Sequence, residues 1–259
     1  MQKILKLKAP FAWVGGKYKL ADTIVPFIDK AKHKIYVEPF CGALSVFYAK
    51  NPSKIEVIND VNDDLINLHF IIKTRPQSLK NELERLLISR KLHELIRDKK
   101  ATARNDIERA AFTFYMIKCS FGSKINKSGG GVTFACGKHR SPANIVRDFT
   151  VYSRRLRNVC IENKDALELI EYYNDKDTLF YLDPPYVSNR KLYDNIAGFS
   201  HEKLQTLLKH TKAKFVLSYN NCDEILALYK DFNIHFTSVK QCFRAKYQSD
   251  RAELIITNF

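Results

Sequence analysis

Leu179-Phe180-Tyr181-Leu182-Asp183-Pro184-Pro185-Tyr186 is an apolar run that stops in a carboxylate, two prolines and an aromatic ring. Four apolar residues without polar alternation read as a strand buried on both faces, as in a parallel sheet. Neither proline can continue the strand, and each fixes its own φ, so the loop that follows is stiff. The C-terminal edge of an open α/β sheet is where such folds bind ligands. Asp183 and the neighbouring carbonyls are thus candidates for holding an amino group, with the Tyr186 ring stacked on its base. The plain alternative is a strand terminator capped by a half-buried tyrosine, since proline after a strand is ordinary turn chemistry.

A second α/β unit lies upstream. Residues 34–40 read as a strand broken by Pro39, and Cys41-Gly42-Ala43-Leu44-Ser45 as a small-residue turn into a helix at Val46. Ile55-Glu56-Val57-Ile58 is the next strand, ending in Asn59-Asp60. A glycine turn before a helix lets backbone N–H groups approach a ligand, and an acid closing the following strand suits a ribose hydroxyl. Alternation resumes with a strand at 159–162, a helix at 165–172, a helix at 201–210 capped by Ser200, a strand at 215–219 and a helix at 223–230. Residues 234–239 and 253–257 read as a closing, antiparallel pair.

Between these halves the pattern changes. Leu79, Leu83, Leu86, Leu87, Leu92, Leu95 and Ile96 recur at helical spacing, and Ile107 to Ile117 marks a further helix. Gly129-Gly130-Gly131 then suggests a hairpin or a mobile loop, with Lys118, Lys124, Asn126, Lys127, Lys138, His139 and Arg140 nearby. A basic hairpin on a helical platform suits a nucleic-acid groove, although a lone charged loop is more often just solvated. The expected organisation is a discontinuous core, 1–65 and 155–259, around an insertion at 66–154.

Charge favours the nucleic-acid reading. The 259 residues carry 43 Lys+Arg against 28 Asp+Glu, a formal net charge of +15, which favours a polyanion. No apolar stretch reaches membrane-spanning length, and the first residues lack a signal-peptide core. The six cysteines form no Cys-x-x-Cys pair and keep no metal-ligand spacing with histidine, so reduced thiols, no metal and a cytoplasmic location are expected.

Taken in order, these segments resemble the Dam-type (alpha group) DNA adenine-N6 methyltransferases. Trp13-Val14-Gly15-Gly16-Lys17-Tyr18 resembles the family's aromatic-x-Gly-x-Lys segment, Glu38-Pro39-Phe40-Cys41-Gly42 its cofactor loop, and Asn59-Asp60 its ribose-binding position. Asp183-Pro184-Pro185-Tyr186 matches the catalytic tetrapeptide, and 253–259 looks like the closing strand. The resemblance implies a Rossmann-like class I methyltransferase sheet with an inserted, mainly helical target-recognition domain bearing a β-hairpin. It implies S-adenosyl-L-methionine as cofactor, touched by Trp13, Lys17, Phe40, Gly42, Asp60, Asp165 and Asp183. Lys17 would meet the cofactor's carboxylate, and Asp165 would border its adenine. It also implies double-stranded DNA as partner, with Lys124, Asn126, Lys127, Lys138 and Arg140 on the DNA, and no obligate protein partner. The catalytic set would be Asp183, Pro184, Pro185 and Tyr186, with Asp183 acting as an acceptor that needs no raised pKa.

Two features depart from the family. Leu44 stands where a second glycine is common, and Lys124 and Lys127 flank Ile125-Asn126 where GATC-reading relatives resemble Arg-x-Asn. GATC or a related short site therefore stays open as the target. A cytosine-N4, glutamine or RNA-adenine methyltransferase and a binding module with a decayed site are the alternatives. Asp183 argues against the first two, since those families resemble Ser-Pro-Pro-Tyr or Asn-Pro-Pro-Tyr. Intact Asp183, Lys17 and Asp60 argue against decay.

Overall fold

The computed structural model describes residues 6–121, 133–135, 147–186, 199–243 and 247–259. Seven strands form one sheet in the order β3-β2-β1-β4-β5-β7-β6. They are β1 (Ile35–Glu38), β2 (Ile55–Asn59), β3 (Cys160–Glu162), β4 (Thr178–Leu182), β5 (Lys214–Asn220), β6 (Asn233–Phe243) and β7 (Tyr247–Thr257). The first five strands pair in parallel, β7 runs antiparallel to β5, and β6 antiparallel to β7. Each expected strand is present, and the closing pair is longer than its apolar stretches.

All five residues of β4 are buried, as expected of a strand covered on both faces. Successive side chains alternate between two cores. Tyr36, Ile58, Tyr181 and Val216 join the core built with α1 (Ala21–Lys30), α2 (Ser45–Ala49) and α3 (Asp63–Thr74). Val37, Val57, Phe180 and Phe215 face the core on the other side. That second core is completed by α8 (Ala166–Tyr172), α9 (His201–Lys209) and α10 (Asp223–Leu228). The result is a three-layer αβα arrangement.

The inserted helices are α4 (Pro76–Arg85), α5 (Arg90–Arg97) and α6 (Asp106–Cys119), followed by α7 (Thr150–Leu156). The single leucine repeat over 79–96 is two helices. Leu86 turns extended (φ −80°, ψ 125°), and the Ser89 hydroxyl accepts from Leu92 N to start α5. A capping hydroxyl inside an apolar repeat outweighs the repeat. Leu79, Leu83, Ala110, Phe114 and Ile117 share one core with α1 and α2, and α3 and α7 run unbroken through residues 65–66 and 154–155. The insertion is thus fused to one face of the sheet.

Ser120 pairs antiparallel with Phe134 in an isolated bridge, and Phe121 N donates to Thr133 O at 2.9 Å. This is the antiparallel stem expected below the glycine run. Lys124, Asn126, Lys127, Lys138 and Arg140 lie outside the described residues. Among the described residues, no helix is long and apolar enough to cross a membrane.

Candidate active site

The strand order reverses at β1 and β4, which are direct parallel neighbours: the chain moves outward from β1 to β2 and β3 on one side, and from β4 to β5 on the other. Loops leaving such a pair diverge and open a crevice. The Phe40–Gly42 loop leaves β1 and the Asp183–Tyr186 loop leaves β4, so both expected motifs meet there.

The β1 loop is held tightly. Cys41 N donates to Asn59 O at 2.8 Å, and Asn59 Nδ2 to Pro39 O at 2.9 Å. Asn59 also ties in the next loop, donating to Lys164 O and accepting from Lys164 N. Gly42 sits at φ +47° and donates its N–H to Asp60 Oδ2 at 3.1 Å. A side chain there would fail twice over: a Cβ would sit 3.1 Å from Trp13 Cδ1, and the positive φ strains any L residue. Trp13 is brought into place by its own turn, with Gly15 at φ +78° and Gly16 N donating to Trp13 O at 3.0 Å. The N-terminal segment therefore covers the glycine loop. Leu44, in place of a second glycine, adopts φ +62° and is fully buried. The backbone keeps the left-handed turn that a glycine would take without strain.

His69 on α3 completes this loop. Its Nε2 lies 2.7 Å from Gly42 O, so Nε2 carries the proton, and burial lowers its pKa to about 4. No sequence motif pointed to it. The signal available was a lone histidine on the apolar face of a helix.

The second wall is acidic and aromatic. Lys17 Nζ lies 2.6 Å from Asp183 Oδ1, 2.8 Å from Gly15 O and 4.6 Å from the centroid of the Tyr186 ring. Ser218 Oγ on β5 donates to Asp183 Oδ1 at 3.3 Å. Burial pushes the Asp183 pKa up, while Lys17 and Ser218 pull it down, and the net direction is upward. The expectation that Asp183 needs no raised pKa thus meets a carboxyl that burial raises all the same. Glu38, 2% exposed at the end of β1, is driven further by burial, to about 8, and accepts from the Tyr36 hydroxyl at 2.8 Å.

Other expected residues have definite places. Phe40 packs edge-on against Phe199 at 5.6 Å. Asp60 accepts from Gly42 N with one oxygen and from Asn62 N with the other. Asp165 caps α8, accepting from Leu167 N and Glu168 N. Trp13, Lys17, Gly42, Asp60, Asp183 and Tyr186 are brought together. The set missed by sequence is Ser218, His69 and Glu253, all polar groups on apolar elements.

Comparison with known proteins follows the same lines. The family model described as D12 class N6 adenine-specific DNA methyltransferase matches residues 13–241. A DNA adenine methylase of Vibrio cholerae is 29% identical over 189 residues, covering 70% of this chain and 66% of that protein. The chain thus spans just under two thirds of that relative. The type II methyltransferase M.CviBI of Paramecium bursaria Chlorella virus NC1A is 27% identical, over 98% of this chain and its whole length. The type II methyltransferase M.MjaIII of Methanocaldococcus jannaschii has the same identity and coverage.

Proposed function

The chain belongs to the D12 class N6 adenine-specific DNA methyltransferases, and we propose that it methylates N6 of an adenine flipped out of double-stranded DNA, with S-adenosylmethionine as donor. The observation that carries this is the position of the Lys17 ammonium. A nitrogen donor is held by the Asp183 carboxylate above the face of Tyr186. An exocyclic amine on a base stacked against Tyr186 needs the same two partners. On entry the amine takes over the Asp183 oxygen, and Lys17 turns to the cofactor's carboxylate.

The amine's lone pair is delocalised into the base, so it attacks poorly. Asp183 and the Pro184 carbonyl each accept one N6 hydrogen, which favours a tetrahedral nitrogen as the new bond forms. S-adenosylmethionine supplies a methyl group already activated on a sulfonium. Holding that methyl in line with the nitrogen accounts for much of the rate. Because N6 is shielded inside the duplex, the base leaves the stack, and the Tyr186 ring offsets part of the unpairing cost.

The residues present fit the cofactor. A side-chain-free Gly42, packed beside Trp13 and braced by Asp60 and His69, keeps the half-buried loop free of any side chain where a nucleoside can approach. Gly42→Val should weaken S-adenosylmethionine binding by about tenfold or more, with DNA affinity changed less than about twofold. Titration calorimetry with cofactor, and with DNA separately, measures both.

The net charge of +15 supports a duplex partner, and Lys124, Asn126, Lys127, Lys138 and Arg140 are its proposed contacts. GATC or a related short site is the proposed target. The test is expression in a host lacking adenine methylation, followed by methylation-aware sequencing. N6-methyladenine at one recurring short site is expected. Unmodified adenine, or methyl groups on cytosine N4, would overturn the proposal.

A further inference from the structure

The Tyr186 ring is anchored from behind by an acid for which the chemistry above has no use. Tyr186 Oη donates to Glu253 Oε2 at 2.6 Å, and Tyr186 and Glu253 are both 6% exposed. Glu253 lies on β7 opposite Asn220 of β5. From β5, Ser218 reaches Asp183, and the Tyr219 ring packs 5.9 Å from that of Tyr186. Tyr219 is itself tied at its hydroxyl, 2.7 Å from His201 Nδ1 at the start of α9.

A buried carboxylate costs stability unless hydrogen bonds satisfy it. Leu254, Ile255 and Ile256, which follow Glu253, are all buried apolar residues. An apolar side chain would pack at this position with less penalty, so the carboxylate calls for another reason. A ring fixed only at its Cβ can swing about its first torsion, which carries the hydroxyl through an arc. Fixing its far end as well removes that swing, and the in-plane direction of the phenolic O–H towards Glu253 restrains the ring's own rotation.

We propose that Glu253 is a positioning residue that clamps Tyr186 in the attitude that receives the flipped adenine. The clamp rests on the adenine methylation proposed above, because a ring that stacks on nothing needs no fixed attitude. Misorientation of a reacting base by a small angle lowers turnover with little effect on overall DNA affinity.

The test uses the full chain and two duplexes bearing its target site: one with unmodified adenine there for turnover, and one with 2-aminopurine, which lacks the N6 amine, there to report flipping. Glu253→Leu should lower kcat by about tenfold or more while the KM for DNA changes less than about twofold. It should also diminish the fluorescence rise on binding. Tyr186→Phe, which keeps the ring and loses the hydroxyl, should give the same loss. The double variant should be no worse than either single, as for two halves of one contact. Glu253→Gln keeps an acceptor oxygen and should recover most of the signal. Wild-type kcat and fluorescence in Glu253→Leu, or losses that multiply in the double variant, would overturn the clamp. If melting shows that Glu253→Leu does not fold, Tyr186→Phe decides alone: retained kcat and fluorescence overturn the clamp, and their joint loss supports it. A wild-type chain that leaves DNA adenine unmethylated would instead sink the activity itself, and that control separates the two failures.

Discussion

Asp183→Ala is expected to lower methyl transfer by a factor on the order of 10³ or more, as for loss of a group that meets charge developing in a transition state. Duplex DNA binding should change little, because its proposed contacts, Lys124, Asn126, Lys127, Lys138 and Arg140, do not include Asp183. The alanine variant carries a second, separate defect. Lys17, whose side chain is 5% exposed, loses its ionic partner, and an uncompensated buried charge costs about 3–5 kcal/mol. Lys17→Met combined with Asp183→Ala should recover that stability and leave turnover absent. Melting temperature and single-turnover rate, measured on both variants, separate the two effects. The wild-type pH profile adds an independent check. Asp183 works as the carboxylate, and burial raises its pKa, so the rate should fall as pH drops, starting at a higher pH than an exposed aspartate would give. A single-turnover rate within about tenfold of wild type in Asp183→Ala would remove Asp183 from the chemistry.

Much of this architecture could be read along the chain because its signals are local. A buried parallel strand writes itself as consecutive apolar residues, as 179–182 do, and the prolines after it mark where the loop begins. The αβ alternation and the stem at Ser120–Phe134 follow from the same kind of pattern. What escaped was set by contacts between distant positions. Glu253 meets Tyr186 across 67 positions and Ser218 meets Asp183 across 35, and no periodicity encodes either. The helix α1 went unread because Pro26 sits inside it, against the usual effect of that residue. Asp165 shows the opposite limit. Expected to border the cofactor's adenine, it also occupies a helix N-cap, where aspartate is favoured for local reasons.

Glu56→Ala is the second large effect expected, and it falls on stability. Glu56 stands near the start of β2, at the opposite end of the strand from Asp60. Its carboxylate accepts from Lys50 Nζ at 2.6 Å, Ser53 N at 3.1 Å and Arg155 Nη2 at 2.9 Å. The Lys50, Glu56 and Arg155 side chains are 1%, 5% and 8% exposed. Removing the one anion leaves two buried cations facing each other, a loss of about 3–5 kcal/mol out of a total stability of roughly 5–15 kcal/mol. For a chain of this size that corresponds to a fall in melting temperature of about 10 °C. Burial pushes the Glu56 pKa up, but Arg155 and Lys50 outweigh it, and the net shift is downward. A carboxyl lowered in the folded state contributes stability at neutral pH and loses it as pH falls through its folded pKa. The gap between wild type and Glu56→Ala should therefore narrow in acid. Replacing all three residues with methionine or leucine should recover much of the loss, since packed apolar groups often match a buried ion cluster. Methyl transfer per folded molecule should stay within about twofold of wild type, because none of the three touches the crevice loops. A melting temperature unchanged in Glu56→Ala would show that the trio is not the electrostatic unit its geometry describes.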